Sequence, residues 1–310
     1  MKWIKKGRIW KPDKKIWWQQ HYAILPTPYL VEDNRIRIFF ASTDKNLIGH
    51  ITFIDVDGDN PSQIIYRHPR PVLGPGEKGM FDEHGVNPCS IVRKNGDLYL
   101  FYVGYQRQKT VPYTLFTGLA LWNTKKQLFE RVKKTPVLDR IDDELFLRSG
   151  ACVLPDRDSW KIWYVAGSSW IHLNTPAYRN RLMPKYTIQS ATSHDLISWK
   201  RSPRTALPMP RGDEFGFGRP WVIKDGSMFR MWYSVRYASR GYRLGYAQST
   251  NGDNWVRKDR LMDIDVSSSG WDSQMVCYPA VVKTKRATLL FYNGNHNGKT
   301  GFGYATLSDK

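Results

Sequence analysis

At 310 residues, with 41% hydrophobic residues and a formal net charge of +19, the chain can bury a large core. It contains no run of the roughly 18 to 20 apolar residues that a transmembrane segment needs. Its 13 Trp, 17 Tyr and 13 Phe favour strands. The surplus of Lys and Arg draws anions to the surface but is scattered along the chain, and no nucleic-acid-binding motif accompanies it. A plain basic surface and an anionic substrate both stay open, and no specific nucleic-acid partner is expected.

Residues 1–8 are basic but lack the apolar core of an export signal. The next feature is a repeat. A strand-like run leads through a polar turn to a second run ending in two aromatics, and this happens five times: Pro28 to Phe39-Phe40, Pro88 to Phe101-Tyr102, Ala151 to Trp163-Tyr164, Pro220 to Trp232-Tyr233, and Pro279 to Phe291-Tyr292. A third strand follows, as in Gly118-Leu119-Ala120 or Gly303-Tyr304-Ala305. In two units it runs through a polar turn into Trp199 or Trp255 at the start of an outer strand. A period near 60 that fills the chain predicts an all-β, five-bladed propeller of four-stranded antiparallel blades, one domain over residues 1–310. A solenoid would need end caps, and none is evident. The last unit lacks an outer strand, and the alternating segment Trp3 to Trp10 is expected to supply it and close the ring.

Cys89, Cys152 and Cys277 are odd in number, widely spaced and set in apolar runs. They read as reduced, buried side chains of a cytoplasmic protein. No metal-ligand spacing or phosphate-cradling loop appears, so neither a metal nor a cofactor is expected.

In a propeller the segments just before the innermost strands gather at one mouth. Here they carry His21, the run Phe81-Asp82-Glu83-His84, Glu144 and Arg148, Glu214 and Arg219, and Trp271-Asp272-Ser273-Gln274. Acids gathered in one cavity raise one another's pKa values and suit glycosidic chemistry; the same acids could instead cap turns or pair with nearby arginines. Arg148, Arg219 and Arg236 would grip a carboxylate or phosphate if they face the pocket, or pair with Glu144 or Glu214 if they do not. His84 and His296 can bind sugar hydroxyls or move protons, or be structural. Trp170, Trp271 and Tyr278 can stack on a sugar ring or belong to the core.

The phrases FDEHGVNP, GLALWNTKKQLFERV, FGRPWVIKDGSMFRMWYSVR, GWDSQMVCYP and FYNGNHNGKTGFGYA resemble the five-bladed superfamily of glycoside hydrolases and phosphorylases that includes arabinanases, invertases and mannoside phosphorylases. Within it they look most like propeller proteins associated with bacterial surface-polysaccharide biosynthesis. The resemblance spans essentially the whole chain and specifies the fold better than the reaction. It implies a carbohydrate-active enzyme, hydrolysing or transferring at a glycosidic or activated-sugar bond. The substrate would be a carbohydrate or nucleotide sugar, anionic if the charge bears on it; the alternative is a sugar-binding propeller without catalysis. It also implies that Asp82 is the base or nucleophile, Glu214 the acid and Asp272 a third carboxylate. The chain departs from the pattern twice. The first unit offers His21 where hydrolases carry an acid, and Gln274 stands where the closer relatives lead one to expect Glu, as in an inactive homologue, a variant, or a protein that works without that acid.

Overall fold

The recurring aromatic pairs all lie on strands, and they explain how the strands assemble. The computed structural model describes residues 1–308 and is β-structure apart from single short turns of 3-10 and α-helix. Strand β1 (Trp3–Trp10) comes first. The first unit is β2 (His21–Glu32), β3 (Arg35–Thr43), β4 (Gly49–Asp57) and β5 (Ile64–Arg67). The second is β6 (Val86–Lys94), β7 (Asp97–Arg107), β8 (Tyr113–Asn123) and β9 (Leu128–Arg131). The third begins with β10 (Leu147–Asp156) and β11 (Ser159–Gly167), is interrupted by the hairpin β12 (Trp170–Leu173) and β13 (Arg181–Pro184), and resumes with β14 (Thr187–Ser193) and β15 (Lys200–Arg201). The fourth is β16 (Glu214–Asp225), β17 (Met228–Tyr237), β18 (Arg243–Ser249) and β19 (Val256–Arg257). The last contributes β20 (Cys277–Lys283), β21 (Thr288–Asn293) and β22 (Phe302–Leu307).

Within each unit the strands pair antiparallel in chain order, and a brief parallel contact of β8 with β10 merges the second and third units into one sheet. Strand β1 pairs with β22, Trp3 opposite Leu307 and Trp10 opposite Phe302, so the segment that opens the chain is the fourth strand of its last unit. The first strands touch in the cyclic order β2, β6, β10, β16, β20 and back to β2.

Successive residues of a strand face opposite sides of the sheet, so each aromatic pair serves two cores. Phe101 lies in the cluster shared by the second and third units, and Tyr102 in the one shared with the first. Trp163 and Tyr164, Trp232 and Tyr233, and Phe291 and Tyr292 divide in the same way. Phe40 completes the set in a cluster with Phe291, Phe302 and Tyr304, which packs the last unit against the first. Trp199 and Trp255, ahead of β15 and β19, lie edge-on to Phe101 and Trp163 of the preceding unit. All three cysteines are buried and unpaired.

The third-strand glycines make room for these rings. A Cβ on Gly118 would sit 2.2 Å from the Tyr102 ring, and one on Gly245 2.4 Å from that of Tyr233. Gly118→Ala is therefore expected to destabilise by about 1–3 kcal/mol, read as a lower denaturation midpoint at unchanged m-value, because the buried phenol is tied to Asp82 and must shift to make room.

Each first strand carries a bulge near its middle, where the register with the second strand slips. In four units the bulge holds a left-handed residue: Leu25 (φ 59°), Gly150 (φ 63°), Arg219 (φ 26°) and Tyr278 (φ 55°). Bulges re-aim side chains, and at Arg219 and Tyr278 the result shapes the site.

Candidate functional site

The acids singled out in the sequence are held one per unit. Asp82, fully buried, accepts from Tyr102 Oη at 3.1 Å and from Arg131 Nε at 2.8 Å. Glu144, also buried, accepts from Tyr164 Oη at 2.8 Å, lies 2.6 Å from Arg148 Nε, and accepts from Arg201 Nε at 2.5 Å. Asp272 accepts from Tyr292 Oη at 3.0 Å and from Lys5 Nζ at 2.7 Å. Glu214 takes both ends of the Arg257 fork, at 2.8 and 2.7 Å, while Tyr233 donates at 2.5 Å to Asp259, which Arg257 also binds.

One device is therefore built three times, with a variant in the fourth unit. An acid ahead of the first strand meets a tyrosine of the second strand twenty residues later and a cation of the outer strand; in the fourth unit Glu214, the first residue of β16, meets the cation Arg257 alone, and Tyr233 bonds Asp259 instead. The cations Arg131, Arg201, Arg257 and Lys5 all stand opposite an alanine of the third strand, namely Ala120, Ala191, Ala247 and Ala305. Burial alone would raise the Glu214 carboxyl, but its bonds to Arg257 outweigh that and hold it below the ordinary value. A proton donor at neutral pH needs the opposite shift. Burial, together with the adjacent carboxylate, pushes the phenols of Tyr102 and Tyr292 up, which keeps them donors.

The three arginines part ways. Arg148 joins Glu144 within the buckle. Arg219 is buried and crosses between units: Nη1 donates to Pro26 O at 2.8 Å and Tyr278 O at 3.4 Å, and Nη2 to Thr27 Oγ1 at 2.8 Å and Cys89 O at 3.3 Å. Its acceptors come from the first, second and last units, and no carboxylate pairs with it among the described residues. Arg236, at the end of β17, is 0% exposed and donates through Nη1 to Pro184 O at 2.6 Å, while Nε and Nη2 have no partner. Its guanidinium lies 4.2 Å from the Tyr186 ring, 4.3 Å from Phe215 and 5.6 Å from Tyr242.

An aromatic band extends from this cage. Tyr186 shares a hydrogen bond with Tyr113 at 3.1 Å, Tyr113 meets Trp170 edge-on at 5.8 Å, and Trp170 meets Phe146 at 5.7 Å. On the other side Tyr242 packs on Tyr278 at 6.1 Å, whose hydroxyl accepts from Asn297 Nδ2 at 2.8 Å. Trp170 and Tyr278 thus join one band, with Tyr113, Tyr186, Tyr242 and Asn297, which the sequence reading did not single out. Trp271 lies elsewhere, stacked on Tyr292 at 5.2 Å much as Phe81 stacks on Tyr102 at 6.0 Å.

His21 and His84 are half-buried and His296 is exposed. His84 Nδ1 accepts the Arg107 N–H at 3.3 Å and lies 3.7 Å from Glu83 Oε1, which Gln106 also binds. Gln274 has an exposed side chain on a loop pinned through its backbone, its N–H to Asn295 Oδ1 at 2.8 Å and its carbonyl to Arg243 at 3.1 Å.

The chain is 32% identical over 309 residues to the Mycobacterium tuberculosis protein described as "Uncharacterized protein Rv1502", with both proteins covered in full. No family model matches it. Among solved structures it resembles a glycoside hydrolase with TM-score 0.73 and 18% identity, over 99% of this chain and 92% of that one. A thermostable family-43 glycoside hydrolase gives TM-score 0.64 and 17% identity, over 92% and 87%. The Bombyx mori β-fructofuranosidase BmSUC1 gives TM-score 0.61 and 14% identity, over 93% of this chain and 61% of that one.

Proposed function

From the premise that this chain belongs to the family of the Mycobacterium tuberculosis protein Rv1502, we propose that it is a one-domain, five-bladed propeller that recognises an anionic sugar at the mouth where its first strands begin. The cyclic contacts of the first strands, the β1–β22 pairing and the cluster packing the last unit on the first support a closed ring of five blades. One observation carries the functional reading. Two buried guanidinium groups, Arg219 and Arg236, have no carboxylate partner among the described residues, whereas each acid expected to do chemistry is neutralised inside its own blade. Buried charge that is left uncompensated projects through a low-dielectric wall and favours an anion at the nearest opening. The aromatic band beside Arg236 suits a sugar ring. Two free carboxylates flanking a scissile bond, which glycoside hydrolysis ordinarily requires, find no support in these acids.

A second reading, a glycosyl-transferring enzyme, rests on the half-exposed Glu83–His84 pair, the one carboxylate–imidazole couple among the candidate residues. Thermal-shift titration against acidic oligosaccharides and nucleotide sugars, followed by turnover assays on any that bind, separates the two. A ligand at one hundred times its Kd adds about 2.7 kcal/mol of stability, and that shift is expected for anionic sugars and to shrink in Arg236→Lys and Arg236→Met proteins. Shifts by neutral sugars alone, or none at all, would remove the proposal; turnover lost in His84→Ala at unchanged binding would favour the enzyme.

A further inference from the structure

The buckle of carboxylate, tyrosine and outer-strand cation is built in four units, the fourth using Asp259 beside Glu214, and left open in the first. There the cation is present: Arg67 stands opposite Ile54 of β4, in the register of the other four. The tyrosine is replaced by Phe40, and the acid's sequence place, twenty residues before Phe40, is held by Gln20, next to Gln19. Gln19 is buried as the acids are, but its Oε1 has no partner. Arg67 has no hydrogen bond or ion pair among the described residues and lies 5.1 Å from the Trp10 ring. Where the other units are closed by a salt bridge, this one has a cavity of about 620 Å³, bounded by Trp10, Gln19, Phe40, Phe53, Arg67 and His68. That volume is typical of small-molecule sites. Lys11, Lys14 and Lys15 also line it and are free of ion pairs among the described residues, and the one acid there, Asp13, caps the backbone N–H of Lys15. The indole N–H of Trp10 is buried and unpartnered as well.

We propose that this cavity is a second sugar site, distinct from the mouth, which takes a carboxylate-bearing sugar. Its carboxylate pairs with Arg67 as the protein's own acids pair with the equivalent cations, and its ring lies against the aromatic wall. Four built copies supply the argument for a carboxylate, because the cation in the same register, Arg in three units and Lys5 in the last, receives one in every other unit. The aromatic wall argues for a ring carrying that carboxylate, since the flat C–H face of a sugar packs on aromatic side chains. Neighbouring lysines add attraction that salt screens.

The test is titration of the full chain with trigalacturonate, followed by calorimetry and by the indole N–H resonance of Trp10, assigned through Trp10→Phe. Wild-type protein is expected to bind, more weakly at high salt, with the Trp10 resonance shifting. Arg67→Gln, a surface change that leaves the core intact, should weaken binding at least tenfold. Gln19→Glu, which puts an internal carboxylate in the wall of the same cavity, should abolish binding without lowering Tm. Arg236→Met should leave the Trp10 shift untouched, so that failure of the mouth and failure of this site are separate results. Equal binding in Arg67→Gln or Gln19→Glu, an equal shift with neutral maltotriose, or a larger shift with a peptide bearing a free C-terminal carboxylate would each overturn the proposal.

Discussion

Replacing Arg131 by leucine is expected to cost about 3–5 kcal/mol of stability, the range seen when one partner of a buried ion pair is removed and the other stays. Asp82 would be left without its cation in a site with no exposure, with Tyr102 as its remaining side-chain donor and Oδ1 already unpartnered. A fall in Tm on the order of 5–10 °C should accompany it. Asp82→Asn in the same chain should recover a large part, because the stranded charge is then gone, and the double-mutant cycle measures the coupling directly. The pair of variants also decides what Asp82 is for. A buckle predicts stability changes with ligand binding intact in whatever protein remains folded, whereas a catalytic base predicts lost turnover in Asp82→Asn at nearly unchanged Tm. The latter outcome would return Asp82 to the role that the sequence resemblance implies.

Arg219→Met carries the other large expected effect, and here two terms oppose each other. The substitution removes a buried cation that has no counter-ion, which relieves a desolvation penalty. It also strips donors from three backbone carbonyls and the Thr27 hydroxyl, each costing about 1–3 kcal/mol if left unpaired in the interior. Four such losses outweigh the relief, and a net destabilisation on the order of 4 kcal/mol follows, measured by chemical denaturation. Since the acceptors belong to the first, second and last units, unfolding should also become less cooperative. A more stable Arg219→Met protein would mean that the charge is kept at the expense of stability, which is what a ligand-directed field requires.

The architecture was legible because it repeats. Five aromatic pairs at a spacing near 60 residues already specified which residues would share strands, and the alternation of Trp3 to Trp10 indicated a strand in search of a partner. The chemistry was less legible, for a physical reason. An acid ahead of an inner strand looks the same in sequence whether it faces a ligand or folds back on an arginine, and the choice depends on the outer strand, some fifty residues further along from Asp82 to Arg131. A signal was nonetheless present: the interval of twenty residues from Asp82 to Tyr102, Glu144 to Tyr164 and Asp272 to Tyr292. In the fourth unit the interval points from Tyr233 to Asp213, which bonds Ser239 instead, and in the first unit, Phe40 with two glutamines, it meets no acid and Arg67 stands unpaired. Tyr113, Tyr186 and Tyr242 gave no such signal, because they lie at or one residue before the start of the third strands β8, β14 and β18, ahead of the residues by which the repeat is read.

The pairing of β1 with β22 also bears on how the molecule comes to exist. Trp3 meets Leu307, so the ribosome must deliver all the strands from β2 to β22 before β1 can find its neighbour. Until then Trp3 and Trp10 have only partial cover, and the cluster of the last unit with the first is half-built. Contacts across such a sequence separation form late and slowly. A nascent chain therefore waits with β1 unpaired, and a rearranged gene that places the β1 segment directly after β22 would turn this long-range contact into a local hairpin, shortening that wait while leaving the folded unit the same shape.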